Sequence, residues 1–371
     1  MHDIVSILFK TGSYILIISA LVFVHEFGHY IVAKWSGVKI EIFSIGFGRK
    51  LFGYIDKSGT HWKLCAIPFG GYVKMFGDAS EVSNPMAEID ELSDEDKKKT
   101  FYHKPLYKKA AIVAAGPIAN FLLTIFIFTI FIVKVGLPST EPIIGEIVKD
   151  SAAEAAGLKA GDRILEIDHE KVEIFNDIPR IIITNIGTPL ELKIERDNKE
   201  LNVILTPKNI VDTDSLGNKF THPIIGIMTK NMKIEEVGLL KAIGESVRRT
   251  YYFCTTTLKV LGQIVTGKRS FSDNIQGPIG MAKISGQAAE KGLSTVFILM
   301  ANISASLGLI NLFPIPMLDG GHLLYYAIEF VRGRPLARRF QEYGLKIGMS
   351  LIAMLMAYSI FNDIYKWVMA A

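Results

Sequence analysis

The segment ALVFVHEFGHYIVAKW, residues 20–35, is the most informative part of the sequence. It is mostly apolar, as a membrane span is, yet it contains two histidines and a glutamate. An ionisable side chain at membrane depth is costly unless it is paired or binds a metal, so its presence indicates a functional site. His25 and His29 are four residues apart and therefore lie on nearly the same face of a helix.

A helical His-Glu-x-x-His sequence is an arrangement in which two imidazoles bind Zn²⁺ and the glutamate acts as general base. The sequence therefore offers His25 and His29 as metal ligands and Glu26 as the catalytic residue. The alternative is a pair of core histidines that hydrogen-bond to the backbone or to neighbouring side chains. Three ionisable groups clustered in one span favour the metal site.

The composition is that of a membrane protein. The chain has 371 residues, of which 49% are hydrophobic, and a net charge of +4. Four apolar segments approach the length of about 20 residues that a membrane helix needs, and they are residues 13–33, 110–133, 293–313 and about 343–365. No basic block in the sequence is long enough to indicate a nucleic-acid partner. Two cysteines, Cys65 and Cys254, predict neither a disulfide framework nor a cysteine zinc site.

The distribution of basic residues predicts the orientation in the membrane. The loops after the first and third apolar segments carry lysines and arginines close to the segment ends. Such residues favour the cytoplasm, whereas long translocated regions are largely exempt from the rule. Both loops are therefore predicted to be cytoplasmic, and residues 135–291 to be extracytoplasmic.

The segments between the spans have distinct compositions. Residues 41–77 are rich in glycine, aromatic and β-branched residues and predict β-hairpins. Residues 78–99 predict an exposed mobile loop, with a recognition element as the alternative. Residues 135–230 alternate β-branched runs with turns, and residues 231–291 predict an amphipathic helical linker, with a helix that packs on the domain as the alternative.

These features predict seven segments. They are a first transmembrane helix at 1–35, a cytoplasmic-side membrane-associated β-hairpin loop at 36–109, a second transmembrane helix at 110–134, a domain at 135–230, the helical linker at 231–291, a third transmembrane helix that includes Leu-Asp-Gly at 292–321, and a cytoplasmic loop with a fourth transmembrane helix at 322–371.

A catalytic zinc site usually has three protein ligands, so a third one is needed. Asp319 follows Pro314 and Pro316, which break the third apolar segment. Broken backbone at membrane depth is tolerated where it lines a cavity or is buried in protein. Asp319 is the first candidate and His322 is the rival, while turn chemistry at Asp-Gly-Gly is the alternative explanation.

Two asparagines in the apolar segments are further candidates. Asn311 could bind the substrate backbone or stabilise an oxyanion, or it could form a helix–helix hydrogen bond. Asn120 follows small residues that permit close helix contact, which favours a packing role for it.

Residues 151–172, SAAEAAGLKAGDRILEIDHEKV, resemble the PDZ family. PDZ domains bind an extended peptide by adding it to the edge of a sheet. The resemblance implies a peptide partner and a carboxylate-binding loop near residues 142–146. The sequence PIIG at 142–145 recurs at 223–226, either by chance or as a second strand that closes the same domain.

Taken together, HEFGH, AAGPIANF, the PDZ-like insert and NLFPIPMLDGGHLL resemble the site-2 protease family, most of all its bacterial sigma-E-regulating branch. GFGRKLF, IPFGGYVKMFG, QGPIGMAK and the terminal FND extend the likeness over nearly the whole chain. Enterobacterial members carry two tandem PDZ domains, whereas residues 136–230 leave room for one. The resemblance therefore leaves the geometry of the outer domain open.

The resemblance implies an intramembrane zinc metalloprotease of the bacterial inner membrane, with several membrane passes. His25, His29 and Asp319 match its zinc ligands and Glu26 its catalytic base, while Asn311, Pro314 and Pro316 match residues associated with substrate binding. Implied substrates are transmembrane segments of single-pass proteins, such as anti-sigma factors, and remnant signal peptides, cut in regulated intramembrane proteolysis. The hairpin region is implied to hold extended substrate, and the PDZ domain to exclude uncut substrates.

The expected fold is a membrane α-helical protein of about four transmembrane helices, with a cytoplasmic-side β-hairpin region and an extracytoplasmic α+β PDZ domain. One alternative function is a catalytically silent membrane PDZ scaffold, which would have a damaged metal motif. Another is a prenyl-protein endopeptidase, which supplies a glutamate as third ligand from a later helix. The intact motif and the Leu-Asp-Gly context favour the intramembrane protease.

Overall fold

A computed structural model describes residues 2–77, 92–139, 141–185, 187–213, 219–229, 233–274 and 276–370. The helices are α1 His2–Trp35, α2 Asp94–Lys97, α3 Leu106–Val135, α4 Ala152–Ala155, α5 Asp177–Ile183, α6 Leu239–Val265, α7 Phe271–Asn274, α8 Pro278–Lys291, α9 Leu293–Asn311, α10 Asp319–Arg332 and α11 Arg338–Ala370. The strands are β1 Ile40–Ile55, β2 His61–Met75, β3 Leu137–Ser139, β4 Glu146–Ile147, β5 Arg163–Ile167, β6 Glu170–Lys171, β7 Leu190–Arg196, β8 Lys199–Leu205, β9 Lys208–Thr213, β10 Lys219–Ile224, β11 Ile227–Met228 and β12 Lys233–Glu235.

Among these residues, four helices are long and apolar enough to cross a membrane, which confirms the expected number. The candidate spans are Val5–Trp35, Leu106–Val135, Leu293–Asn311 and Arg339–Lys366. Together with the strands they make this a mixed membrane protein. The chain divides into two compact units, one made of Met1–Ile127 and Gln276–Ala371 and the other of Phe128–Ile275.

In the first unit, β1 and β2 form one long bent hairpin where the sequence predicted hairpins. Residues 42–45 of β1 pair on one side with residues 71–74 of β2 and on the other side with residues 61–64 of β2. Residues 61–64 pair in addition with residues 52–55 of β1. The two strands thus fold over into four adjacent segments. Residues 71–75 therefore form an outer segment whose one strand partner, within the described part of the chain, is the start of β1.

An aromatic cluster fixes this hairpin against α1. Phe43 is 1% exposed, and its ring stacks on that of Trp62 with centroids 4.4 Å apart. Tyr30 of α1 packs edge-on against both rings, and Phe23 packs edge-on against Phe43. One face of α1 is therefore occupied by the hairpin, which leaves the face with the histidines for other helices.

Two helical bounds differ from the expected ones. The third span ends at Asn311, and a new helix, α10, begins at Asp319, so the segment predicted to reach residue 321 contains a turn. Residues 322–332, predicted to belong to a cytoplasmic loop, are helical as part of α10. This helix ends at Gly333, whose φ of 67° is a left-handed conformation that glycine adopts without strain. The sequence predicted a mobile loop at 78–99, and residues 78–91 of it lie outside the described residues.

The second unit has its own apolar core, which includes Ile164, Leu192 and Ile194. Its main sheet has the strand order β6-β5-β7-β8. The two PIIG segments belong to the same domain, because Gly145 N donates to Met228 O and β4 pairs with β11. The strands that pair are the residues directly after each PIIG segment, 146–147 and 227–228.

Candidate metal centre

His25 and His29 lie one turn apart on the face of α1 opposite the aromatic cluster. Their Nε2 atoms are 3.2 Å apart. The Nδ1 atom of His29 is 2.8 Å from the main-chain oxygen of Ile112 in α3. Because a carbonyl oxygen can only accept, this contact places the proton of a neutral His29 on Nδ1 and leaves the lone pair of Nε2 available to a metal.

Glycines let α3 approach the histidines closely. A Cβ atom on Gly116 would overlap His29 Nε2 and lie 2.8 Å from His25 Cε1. A Cβ atom on Gly28 of α1 would overlap the main-chain oxygen of Ala115. Small residues at a membrane helix contact allow such an approach. The AGP sequence of the second span is thus part of the wall of the site.

Asp319 reaches the site because the chain turns between α9 and α10. Met317 has a φ of 98°, an uncommon conformation for a residue with a side chain. A Cβ atom on Gly320 would overlap the main-chain oxygens of Leu312 and Phe313, and one on Gly321 would overlap that of Ile315. The two glycines therefore let the first turn of α10 pack on the preceding backbone, with Asp319 at its start.

The donor atoms of His25, His29 and Asp319 form a triangle. Asp319 Oδ2 is 3.2 Å from His25 Nε2 and 3.5 Å from His29 Nε2. A tetrahedral Zn²⁺ with bonds of about 2.0–2.1 Å separates its ligand atoms by about 3.3 Å. The three edges match one face of that tetrahedron. Within the described part of the chain, His25, His29 and Asp319 are the group of at least three His, Cys, Asp or Glu side chains whose ligand atoms lie close enough together to hold a metal ion.

Burial of the carboxylate supports the same conclusion. Asp319 Oδ2 is buried and has no hydrogen bond to any residue that the structure describes. A buried carboxylate oxygen that faces two imidazole nitrogens without a hydrogen bond is unfavourable, and a divalent cation between the three groups removes the penalty. The residues present therefore fit a zinc ion.

A cavity of about 980 Å³ opens beside this triangle. Glu26, the predicted base, lines the cavity together with all three candidate ligands. Gly70 and Gly71 of β2 form part of another wall. A Cβ atom on Gly71 would lie 3.0 Å from Glu26 Cγ, so the outer hairpin segment passes directly beside the glutamate.

The structure brings some of the other predicted residues to this cavity. Asn311 lines it, at the end of α9. His322, the rival ligand, also lines it but lies outside the triangle of donor atoms. Pro314 and Pro316 lie in the turn before Asp319 and are not among the residues that line this cavity. Pro316 packs against Gly348 of α11, and its role in substrate binding stays a prediction.

Two contacts at the site were not apparent from the sequence. The main-chain oxygen of Ile112 carries no side-chain signal at all. Asn120, interpreted from its small neighbours as a packing residue, has its amide 3.1 Å from His25 Nδ1. A polar residue near the middle of an apolar segment was the available signal, but its partner could not be deduced from spacing.

Most of the chain is similar to known proteins. Residues 13–355 match the model of peptidase family M50. A protein of Agrobacterium fabrum with a provisional zinc metalloprotease name is 45% identical over 364 residues, which is 96% of each chain. A Rhizobium meliloti protein with the same kind of name is 41% identical over 361 residues, again 96% of each chain. Metalloprotease MmpA of Caulobacter vibrioides is 34% identical over 379 residues, or 96% of this chain and 95% of that protein.

Solved structures match a smaller part. The PDZ domain of an SdrC-like protein from Listeria innocua covers 26% of this chain and 99% of its own, at 24% identity and a TM-score of 0.20. The corresponding domain from Listeria monocytogenes covers 26% of this chain and 93% of its own, at 23% identity and the same TM-score.

The family match spans most of the chain, and the relatives align over nearly their full lengths. Their zinc metalloprotease names agree with the donor triangle and with the adjacent glutamate. The four long apolar helices agree with a membrane location. The chain therefore belongs to peptidase family M50, the family of site-2 proteases, and is a membrane-bound zinc metalloprotease.

Proposed function

We propose that this metalloprotease cleaves peptide bonds in the transmembrane segments of single-pass proteins, as a step of regulated intramembrane proteolysis. Anti-sigma factors and remnant signal peptides are the proposed substrates. The observation that carries the proposal is the position of His25, Glu26 and His29 within the candidate span Val5–Trp35. Chemistry at that position is within reach of a substrate helix in the same bilayer.

In this proposal His25, His29 and Asp319 hold the zinc ion. When bound, zinc polarises the scissile carbonyl and makes water acidic enough to be a nucleophile near neutral pH. Glu26 is the general base, which takes a proton from the attacking water and delivers it to the leaving amide nitrogen. The lining of one cavity by the ligands and Glu26 supports this division of roles.

The substrate must be extended to be cut, because a helix keeps its carbonyls in internal hydrogen bonds. We propose that residues 71–75 bind the unwound segment by strand addition. Their outer position in the hairpin and the place of Gly70 and Gly71 in the cavity wall support this role. Asn311, which lines the same cavity, is proposed to bind the substrate backbone.

The site is proposed to face the cytoplasm in the bacterial inner membrane, with four membrane passes. His29 lies near the end of α1 that carries Lys34, and Lys109 also lines the cavity. Basic residues near span ends favour the cytoplasmic side. The hairpin would then be cytoplasmic, and the domain formed by the second unit extracytoplasmic.

We further propose that the second unit contains a PDZ domain that binds peptide. The segment 151–172 and the sheet β6-β5-β7-β8 with the helices α4 and α5 support this assignment. Its proposed effect is to exclude substrates until another protease has removed their outer domain. Deleting such a domain should therefore increase the cleavage of uncut substrates.

The central test is reconstitution in liposomes with a model single-span substrate whose cleavage position is read by mass spectrometry. Wild-type protein is expected to cut within the span, and Glu26→Gln to leave the substrate intact. Cleavage confined to loops outside the bilayer would reject the intramembrane function but keep the protease. A Glu26→Gln variant that cuts as fast as wild type would reject Glu26 as the base.

A further inference from the structure

Asn120 of α3 is completely buried, with 0% of its surface exposed. Its side-chain amide lies 3.1 Å from His25 Nδ1. This nitrogen is on the side of the ring away from Nε2, which faces His29 Nε2 at 3.2 Å and Asp319 Oδ2 at 3.2 Å. Asn120 therefore contacts a candidate zinc ligand from behind, on the side opposite the metal position.

The chemistry of imidazole determines which amide atom belongs at that contact. A neutral histidine that presents the lone pair of Nε2 carries its proton on Nδ1. An N–H group needs an acceptor, so Asn120 must offer its carbonyl oxygen Oδ1 and not its NH₂ group. With the NH₂ group turned toward His25 instead, Oδ1 is buried and has no hydrogen-bond partner among the described residues. Turning the amide over places Oδ1 on the ring nitrogen.

The packing role of Asn120 belongs to its backbone and not to its side chain. Ser304 Oγ of α9 donates to the main-chain oxygen of Asn120 at 2.9 Å. Thr124 Oγ1 lies 3.0 Å from the same oxygen and 3.0 Å from the main-chain oxygen of Ala301. These contacts join α3 to α9 whatever the side chain at position 120. The amide is therefore free to serve His25.

We propose that Asn120 is a positioning residue for the zinc site. Its Oδ1 accepts the N–H of His25 Nδ1, which fixes the tautomer and the rotation of the ring so that Nε2 meets the metal. The main-chain oxygen of Ile112 does the same for His29, so α3 holds both imidazoles from behind. Partners of this kind typically contribute 10–100-fold to metal affinity. The inference rests on the proposed ligand role of His25.

The test measures zinc affinity by competition with a chelator, on full-length protein in detergent, beside the melting temperature of the metal-free protein. Asn120→Leu keeps the size of the side chain but has no acceptor, so zinc should bind about 10–100-fold more weakly. Asn120→Asp keeps an oxygen at the same position and should bind within a few-fold of wild type. If Asn120→Leu does not fold, Asn120→Ala takes its place, because alanine also lacks an acceptor for the N–H of His25.

Thr124→Val is the matched control, because it removes a buried polar contact one turn away without touching His25. It should lower the melting temperature and leave zinc affinity unchanged. Wild-type affinity in both Asn120→Leu and Asn120→Ala would overturn the proposal. Equal losses in Asn120→Asp and Asn120→Leu would also overturn it, since the NH₂ group would then be the atom that matters. Wild-type affinity in His25→Ala and Asp319→Ala would instead reject the metal site itself.

Discussion

His29 Nδ1 of the first span lies 2.8 Å from the main-chain oxygen of Ile112 in the second. This single contact ties a candidate metal ligand to the backbone of another helix. Because the acceptor is a carbonyl, the tautomer of His29 follows from the way in which the two helices pack. The geometry of the candidate zinc site is therefore coupled directly to the contact between α1 and α3.

The ligand set can be tested by metal content. Purified wild-type protein should hold about one zinc per chain, whereas His29→Ala and Asp319→Ala should lose it. Glu26→Gln should keep the metal but cut a model substrate about 10²–10⁴-fold more slowly, the usual contribution of a general base. Elemental analysis and a cleavage assay on the same samples give both quantities. Zinc retention by Asp319→Ala would contradict its role, and His322→Ala would then be measured next.

The tight contact at Gly116 gives a second prediction. Gly116→Ala places a methyl group where His29 Nε2 lies, so the ring must move or the helices must separate. Zinc affinity is expected to fall by about 10–100-fold, the loss typical of a disturbed ligand orientation. Gly12→Ala is the control, because the same substitution in α1 meets nothing within 4 Å. Equal zinc affinity in the two variants would show that the site tolerates the displacement.

Local patterns were sufficient to predict part of this molecule. The four-residue spacing of His25 and His29 defines a helical face, and the proline break before Asp319 marks a turn at membrane depth. Both features depend on short segments whose geometry is nearly independent of the rest of the fold. The number of apolar helices was predictable for the same reason.

Long-range packing decided what could not be predicted. The fold of the hairpin into four segments depends on bends and on the register between residues far apart in the chain. The contact of Asn120 with His25 joins residues 95 positions apart. Residues 322–332 of helix α10 were assigned to the loop before the fourth span. Gly333 and Pro335, which follow the last residue of this helix, are the sequence signal for its C-terminus.

The ion pair of Asp162 and Arg196 gives the second unit a predictable response to pH. Arg196 Nε lies 2.7 Å from Asp162 Oδ1, and Nη2 lies 2.6 Å from Oδ2. Burial acts to raise the pKa of Asp162, but the hydrogen bonds and charge of Arg196 outweigh it and hold that pKa below its ordinary value. The pair therefore stabilises the domain at pH values above the unfolded pKa of about 4. This contribution is lost as the pH falls through the lower, folded-state pKa.

Hydrogen exchange of β5 and β7 in the full-length protein measures this effect. Asp162→Asn should lower the local unfolding free energy at pH 7 by about 1.5–3 kcal/mol, the range for a hydrogen bond to a charged group. The difference between variant and wild type should shrink toward pH 3. Glu200→Gln, which removes the exposed pair with Lys193, should change exchange little. A difference that stayed constant with pH would exclude ionisation of Asp162 as the cause.

Asp363 near the end of the fourth span is predicted to be a structural residue. It is 7% exposed, its Oδ1 accepts from Gly277 N at 2.9 Å, and its Oδ2 accepts from Gly280 N at 2.9 Å. The carboxylate thus caps the N-terminus of α8, where unpaired N–H groups and the helix dipole favour a negative charge. This contact joins the FND sequence of the fourth span to the QGPIG sequence at the start of α8.

Asp363→Ala should therefore lower the free energy of unfolding by about 0.5–2 kcal/mol, as for a lost helix cap. The measurement is the melting temperature of the detergent-purified protein, which should fall. Asp363→Asn keeps one acceptor oxygen, so its melting temperature should lie between those of the wild type and Asp363→Ala. Ser350→Ala, an exposed substitution on the same helix, is the control and should leave the melting temperature unchanged. Zinc affinity should be the same in all four proteins, because the cap does not touch the donor triangle. A loss of zinc in Asp363→Ala without a change in melting temperature would assign Asp363 to the metal site instead.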